Sequence, residues 1–212
     1  MNRILFLLPL VVVLLLGACA TRPEPGFKVP QGMILAVAPF TQPRHMGQLL
    51  AGYVPEDQPL VGPTVLTDLD ADLESLLLAR LGRNFLGTTL TRQCVEIVDR
   101  DISSSRVSAL DYWLQVGRCL SADYMLVPQL FEWGERAGGQ WGSAEPAKVV
   151  LDMFLIGMAD ESVRRFHFDE AQIALSQNIL EAPTFVRRGG KWLTARELAG
   201  EGIHRGLEDL GL

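Results

Sequence analysis

Apolar and polar positions along this chain fall into blocks with distinct periods. Residues 4–16 (ILFLLPLVVVLLL) hold twelve apolar side chains and one proline. Residues 20–31 (ATRPEPGFKVPQ) follow with three prolines and one glycine. Proline stiffens a chain and blocks helix formation, so this stretch reads as a tether. From residue 33 onward the pattern becomes that of a folded domain.

The short apolar run 33–40 (MILAVAPF) predicts a buried strand, and residues 41–63, with four prolines, a long loop. A helix is expected from Thr67, because Leu69, Leu73, Leu76, Leu77 and Leu81 recur at helical spacing. Asp68, Asp70 and Asp72 would then crowd its first turn, where carboxylates meet the positive helix end. Residues 94–98 (CVEIV) read as the second strand. Ser108 reads as the cap of a second helix, with Leu110, Trp113, Leu114 and Gly117 on one face. Residues 124–133 (YMLVPQLFEW) predict a third strand, with Pro128 suggesting an edge or a bulge. Residues 134–146, carrying four glycines, read as a hairpin tip. Strands at 147–158 and 163–168 are joined by the tight turn 159–162, and residues 169–181 are expected to be partly helical. Thr194 and Glu197 form a capping box flanked by the staple pair Leu193 and Leu198. The helix it opens has an apolar face of Leu198, Ile203, Leu207 and Leu210.

The order β-α-β-α-β-β-β-α predicts an α/β fold, with a single mixed sheet flanked by helices. Right-handed crossovers make the first three strands parallel, and hairpins add the last two antiparallel. Three regions are expected: a signal peptide at 1–18, a lipidated cysteine and tether at 19–32, and an α/β domain at 33–212.

Composition sharpens this picture. With 212 residues, 48% hydrophobic and 21% charged, the chain suits a globular protein with a real core. Its net charge of −6 argues against nucleic acid as a partner. The block 4–16 is shorter than the roughly 20 residues a membrane-spanning helix needs. With Arg3 before it, it reads as a signal peptide. Leu16, Gly17, Ala18 and Cys19 resemble the lipobox of bacterial lipoprotein precursors. That resemblance implies cleavage before Cys19 and lipid attachment to its sulfur, an anchor that holds a soluble domain at a membrane. A plain secretory signal is the alternative. Ala20 after the cysteine, where enteric inner-membrane lipoproteins carry aspartate, points to the outer membrane, periplasmic face.

Candidate chemistry is sparse. Asp68, Asp70 and Asp72 open like a calcium loop, but Leu73 and Ala79 stand where its glycine and glutamate belong. His45, His167 and His204 share no metal-ligand spacing and read as surface residues. No phosphate-binding glycine loop and no nucleophile elbow is present, so the sequence supports neither an enzyme nor a cofactor beyond the covalent lipid. In an oxidising compartment Cys94 and Cys119 could pair, both near the N-terminal edge of the sheet, or stay as buried thiols. Two stretches have both a docking reading and a plain structural one. One holds Arg164 and Arg165 at the start of 164–172. The other is a basic patch of Arg187, Arg188 and Lys191 ending at Trp192. Trp133 and Trp141, flanking the glycine-rich hairpin, read as surface contacts or as core plugs.

The lipobox, the proline tether, the strand Ile34-Leu35-Ala36-Val37-Ala38-Pro39-Phe40 and this element order resemble a group of envelope lipoproteins with a fold similar to the N-terminal domain of TolB. The group includes LpoB-type activators of peptidoglycan synthases, PelC-type polysaccharide export subunits and the periplasmic part of CsgG-type secretion pores. The resemblance implies action by binding and assembly: an envelope protein partner or self-association, with membrane contact through the lipid. It makes the expected role that of an accessory or regulator of a cell-envelope machine. A ring-forming export subunit is the alternative, and a glycan hydrolase a more distant one.

Overall fold

The computed structural model describes residues 27–54, 58–102, 107–139, 142–171 and 193–212. Its strands are β1 (Leu35–Val37), β2 (Phe85–Leu86), β3 (Tyr124–Gly134), β4 (Ala137–Gly139), β5 (Gly142–Glu145), β6 (Lys148–Gly157) and β7 (Val163–Ala171). Its described helices are α1 (Pro63–Leu81), α2 (Thr88–Ile102), α3 (Ala109–Cys119) and α4 (Ala195–Asp209), with a 3-10 turn at Met46–Gln48. Five strands make one mixed sheet in the order β2-β1-β3-β6-β7, and β4 with β5 forms a separate ribbon at the tip between β3 and β6. β1 runs parallel to β2 and β3, whereas β6 and β7 add antiparallel. The α/β class and the single mixed sheet are therefore those the sequence predicts.

Both faces of the sheet are packed, which explains why the central strands read as continuous apolar runs. On one face Leu35, Val37, Leu126, Leu151, Met153 and Leu155 meet the leucine stripe of α1 (Leu69, Leu73, Leu77) and Leu198, Ile203 and Leu207 of α4. On the other, Ala36, Ala38, Met125, Val127, Phe154 and Ile156 meet Val98 of α2 and Trp113, Leu114 and Val116 of α3. The capping box is present: Thr194 accepts from Glu197 N–H, and the Glu197 carboxylate accepts from Thr194 N–H.

The structure corrects several sequence expectations. Residues 94–98 are not a strand; they lie inside α2. Cys, Val and Ile there favour a strand locally, but Thr88, Thr91, Cys94 and Val98 are buried at helical spacing, and tertiary packing overrides propensity. The second strand is instead Phe85–Leu86, too short to leave a periodic signal. α1 starts four residues before Thr67, with Gly62 as N-cap and Pro63 in its first turn, where a missing N–H costs nothing.

That earlier start removes the three aspartates from the first turn. Asp68 and Asp72 instead clamp Arg196 of α4, and Asp70 turns inward to accept from Phe40 N–H at 2.6 Å and pair with Arg92. Pro128 lies on an inner strand, opposite Met153 and at a level where β1 has ended; the bulge falls later, between Leu130 and Glu132. Residues 169–171 extend β7, and the rest of the expected helix to 181 lies outside the described residues. Val29 N–H bonds the Gly211 carbonyl and Phe27 stacks edge-on against Tyr124, so the last part of the expected tether lies against the domain.

Candidate functional site

The sequence made β6 an apolar strand with one interruption, VVLDMFLI. That interruption, Asp152, organises the most polar feature of the sheet. Its side chain is 1% exposed, yet it faces Gln129 of β3 on one side and His167 of β7 on the other, each in direct cross-strand register. Asp152 Oδ1 lies 2.6 Å from His167 Nδ1, a pairing that needs the proton on that nitrogen. Oδ2 accepts from Arg165 Nε at 3.0 Å, with Nη2 at 2.9 Å. A buried carboxylate is tolerated when such partners compensate it.

Arg165 and His167 themselves reach solvent, at 37% and 48% exposure. The reason is topological. α2 and α3 cover β1, β3 and the part of β6 that carries Phe154 and Ile156. Farther along β6, and over β7, no helix covers this face among the described residues. A cavity of about 200 Å³ opens there, walled by Asp152, Arg165 and His167 with Tyr53. Gly52, at φ +88°, turns the loop across the site; a Cβ in its place would lie 3.6 Å from Arg165 Nη2. Tyr53 beyond it is 74% exposed. At the rim Lys148 pairs with Glu132 at 2.7 Å, which raises the lysine's pKa.

A second, larger cavity of about 350 Å³ lies beside the first, past the end of β1. Between them the loop 41–54 is pinned by Gln129, whose Nε2 donates to the Gln48 carbonyl at 2.8 Å. Asp152 and Gln129 are the residues that sequence reasoning missed, and His167 it read as merely surface. The available signal was a lone polar residue inside an otherwise unbroken apolar strand.

The other candidates are distributed differently. Arg164 points to the opposite face and stacks its guanidinium 4.3 Å over the Phe27 ring. Trp133 packs, partly buried, against the α4-side core and donates its Nε1–H to Glu135. Cys94 and Cys119 are bonded, with Cα atoms 5.9 Å apart. The bridge joins α2 to α3: Cys119 ends the helix before β3 as expected, whereas Cys94 lies within α2 instead of opening a strand. Cys19 and its lipobox, Trp141, Arg187, Arg188, Lys191 and Trp192 lie outside the described residues. Among those described, no helix is long and apolar enough to cross a membrane, and no cluster of His, Cys, Asp and Glu is arranged to hold a metal ion.

No family model matches the chain, and no curated protein matches it. Solved structures are similar in their course. The PelC dodecamer from Paraburkholderia phytofirmans is 14% identical, over 89% of this chain and 94% of that one, with a TM-score of 0.48. The lipoprotein GNA1162 from Neisseria meningitidis is 11% identical, over 75% of this chain and 99% of that one, with a TM-score of 0.40. The LpoB C-terminal domain from Salmonella enterica is 12% identical, over 68% and 86%, with a TM-score of 0.38. At these identities and scores none of them defines what this chain does.

Proposed function

We propose that this chain is an outer-membrane lipoprotein, anchored at Cys19 and facing the periplasm, that acts by binding a protein partner of the cell envelope, without a catalytic step or cofactor of its own. The observation that carries the binding role is the end of the sheet that no described helix covers, where buried Asp152 holds Arg165 and His167 toward solvent beside exposed Tyr53. Side chains locked in this way lose little entropy on binding, so the surface is preorganised. Arginine and tyrosine are also the residue types that dominate protein interfaces. Arg165, its charge compensated by Asp152 but its side chain 37% exposed, can still offer N–H donors to acceptor groups of a partner.

The test is crosslinking in cells from a photoreactive residue at Tyr53. Capture of one envelope protein, lost on Arg165→Ala, supports the proposal. Capture only of further copies, together with a ring-sized mass of the purified protein, would replace it with the ring-forming subunit. Cleavage of wall glycan abolished by a single carboxylate substitution would replace it with the hydrolase.

A further inference from the structure

The larger cavity lies past the carboxyl end of β1, on the side of β3. β1 lies between β2 and β3. The connection from β1 to β2 runs through α1 on one face; that from β2 to β3 runs through α2 and α3 on the other. Open α/β sheets take ligands in crevices outside the carboxyl ends of their strands. Here that crevice has a volume of about 350 Å³, within the range of small-molecule sites. Its walls come from Pro39 and Thr41 just past β1, Gln129 of β3, Asp99 of α2, and Tyr112 and Trp113 of α3.

The chemistry of those walls is one-sided. Among the described residues that line the cavity, Asp99 is ionisable and acidic, and none is Lys, Arg or His. One oxygen of Asp99 accepts from Tyr112 O–H at 2.9 Å. Burial, with the Asp99 carboxylate, pushes the Tyr112 phenol well above its usual pKa, so the phenol stays a neutral donor. The rings of Tyr112 and Trp113 meet edge to face with centroids 5.1 Å apart. The positive end of α3 is already met by Ser108, which accepts from Asp111 N–H, and by the Asp111 carboxylate.

Gln129 is 1% exposed; its Oε1 has no hydrogen-bond partner, while its Nε2 is fixed by the Gln48 carbonyl. Turning the amide over would set carbonyl against carbonyl, so the orientation is fixed by chemistry. Its cross-strand neighbour Asp152 has both oxygens engaged by His167 and Arg165. A carbonyl buried without a donor costs about 1–3 kcal/mol.

We infer that this crevice binds a small organic cation, an ammonium group on an apolar or aromatic body, with Asp99 as counter-charge, the Tyr112–Trp113 pair as apolar wall and Gln129 Oε1 as acceptor at the floor. A carboxylate ligand would meet Asp99 and the Gln129 Oε1 acceptor, with no Lys, Arg or His among the described lining residues to offset them. The site is distinct from the Arg165 surface and does not depend on the lipid anchor.

The experiment uses the full chain in lipid nanodiscs, with empty nanodiscs subtracted, and calorimetric titration of three probes of matched shape: phenethylammonium, 2-phenylethanol and phenylacetate. The ammonium should bind about tenfold tighter than either of the others. Asp99→Asn, at an exposed position, should erase most of that preference without moving the unfolding midpoint. Gln129→Leu should weaken the ammonium and the alcohol alike. Equal binding of all three probes, or binding of none to the wild type, overturns the inference. A preference that Asp99→Asn leaves intact overturns it as well.

Discussion

Asp70 shows how one buried carboxylate links local chemistry to stability. It accepts from Phe40 N–H and pairs with Arg92, yet burial outweighs both and pushes its carboxyl up from 3.8 to about 6. The folded chain therefore holds a proton through a window in which the unfolded chain has released it. Its contribution to stability falls as pH rises through that window and is level on either side. Asp70→Asn cannot ionise and still offers Phe40 an acceptor. By urea unfolding, its stability relative to wild type should improve by up to roughly 3 kcal/mol between pH 4 and pH 7. A constant difference across that range would refute the raised pKa. Arg165→Met tests the other buried carboxylate. It leaves Asp152 with His167 alone and should cost about 2 kcal/mol, whereas Arg164→Met on the opposite face should cost under about 1 kcal/mol.

Among the elements, α4 shows most clearly that a helix can be legible in its ends and illegible in its middle. Its capping box is written in Thr194 and Glu197, but its closeness to the sheet depends on Gly202. A Cβ there would stand 2.8–2.9 Å from ring atoms of Phe168, which is itself buried and cannot swing away. Gly202→Ala should destabilise the domain by about 1–3 kcal/mol through overpacking. Gly200, two residues earlier, has nothing within 4 Å of the same atom. There alanine should stabilise by up to about 1 kcal/mol, since it favours the helix and meets no neighbour. Thermal unfolding of the two variants side by side decides the point, and equal shifts would mean that α4 does not approach the sheet so closely.

At the scale of the whole molecule, two covalent features set the boundary conditions. The Cys94–Cys119 bridge closes a separation of 25 residues and ties together the two helices that wall the crevice. In the chain-entropy account, replacing both cysteines with alanine should cost about 3 kcal/mol, read from the denaturation midpoint under non-reducing conditions. Titratable thiol in the unfolded, unreduced wild-type protein would contradict the bridge. The second feature is the expected lipid on Cys19. Cys19→Ser should move the protein from the membrane to the soluble fraction, with the acyl mass lost from the N-terminal peptide. Continued membrane attachment would show that something other than this lipid holds it.

The sequence alone determined whatever depends on local pattern: the α/β class, the leucine stripe of α1, the caps at Ser108 and Thr194, and the antiparallel pairing of the last three long strands. These signals are carried by neighbours a few residues apart, where period and capping chemistry are decided. Tertiary structure alone decided that residues 94–98 continue a helix, because the burial of Cys94 and Val98 against the sheet exceeds their local preference for a strand. It also decided where the polar residues meet. Gln129, Asp152 and His167 come from three strands, and only the register of β3, β6 and β7 sets them in one row. Asp99 and Thr41 likewise share a cavity only because α2 packs over the face of the sheet past the end of β1. Such a juxtaposition leaves no periodic trace, since the distances that matter are across the fold and not along the chain.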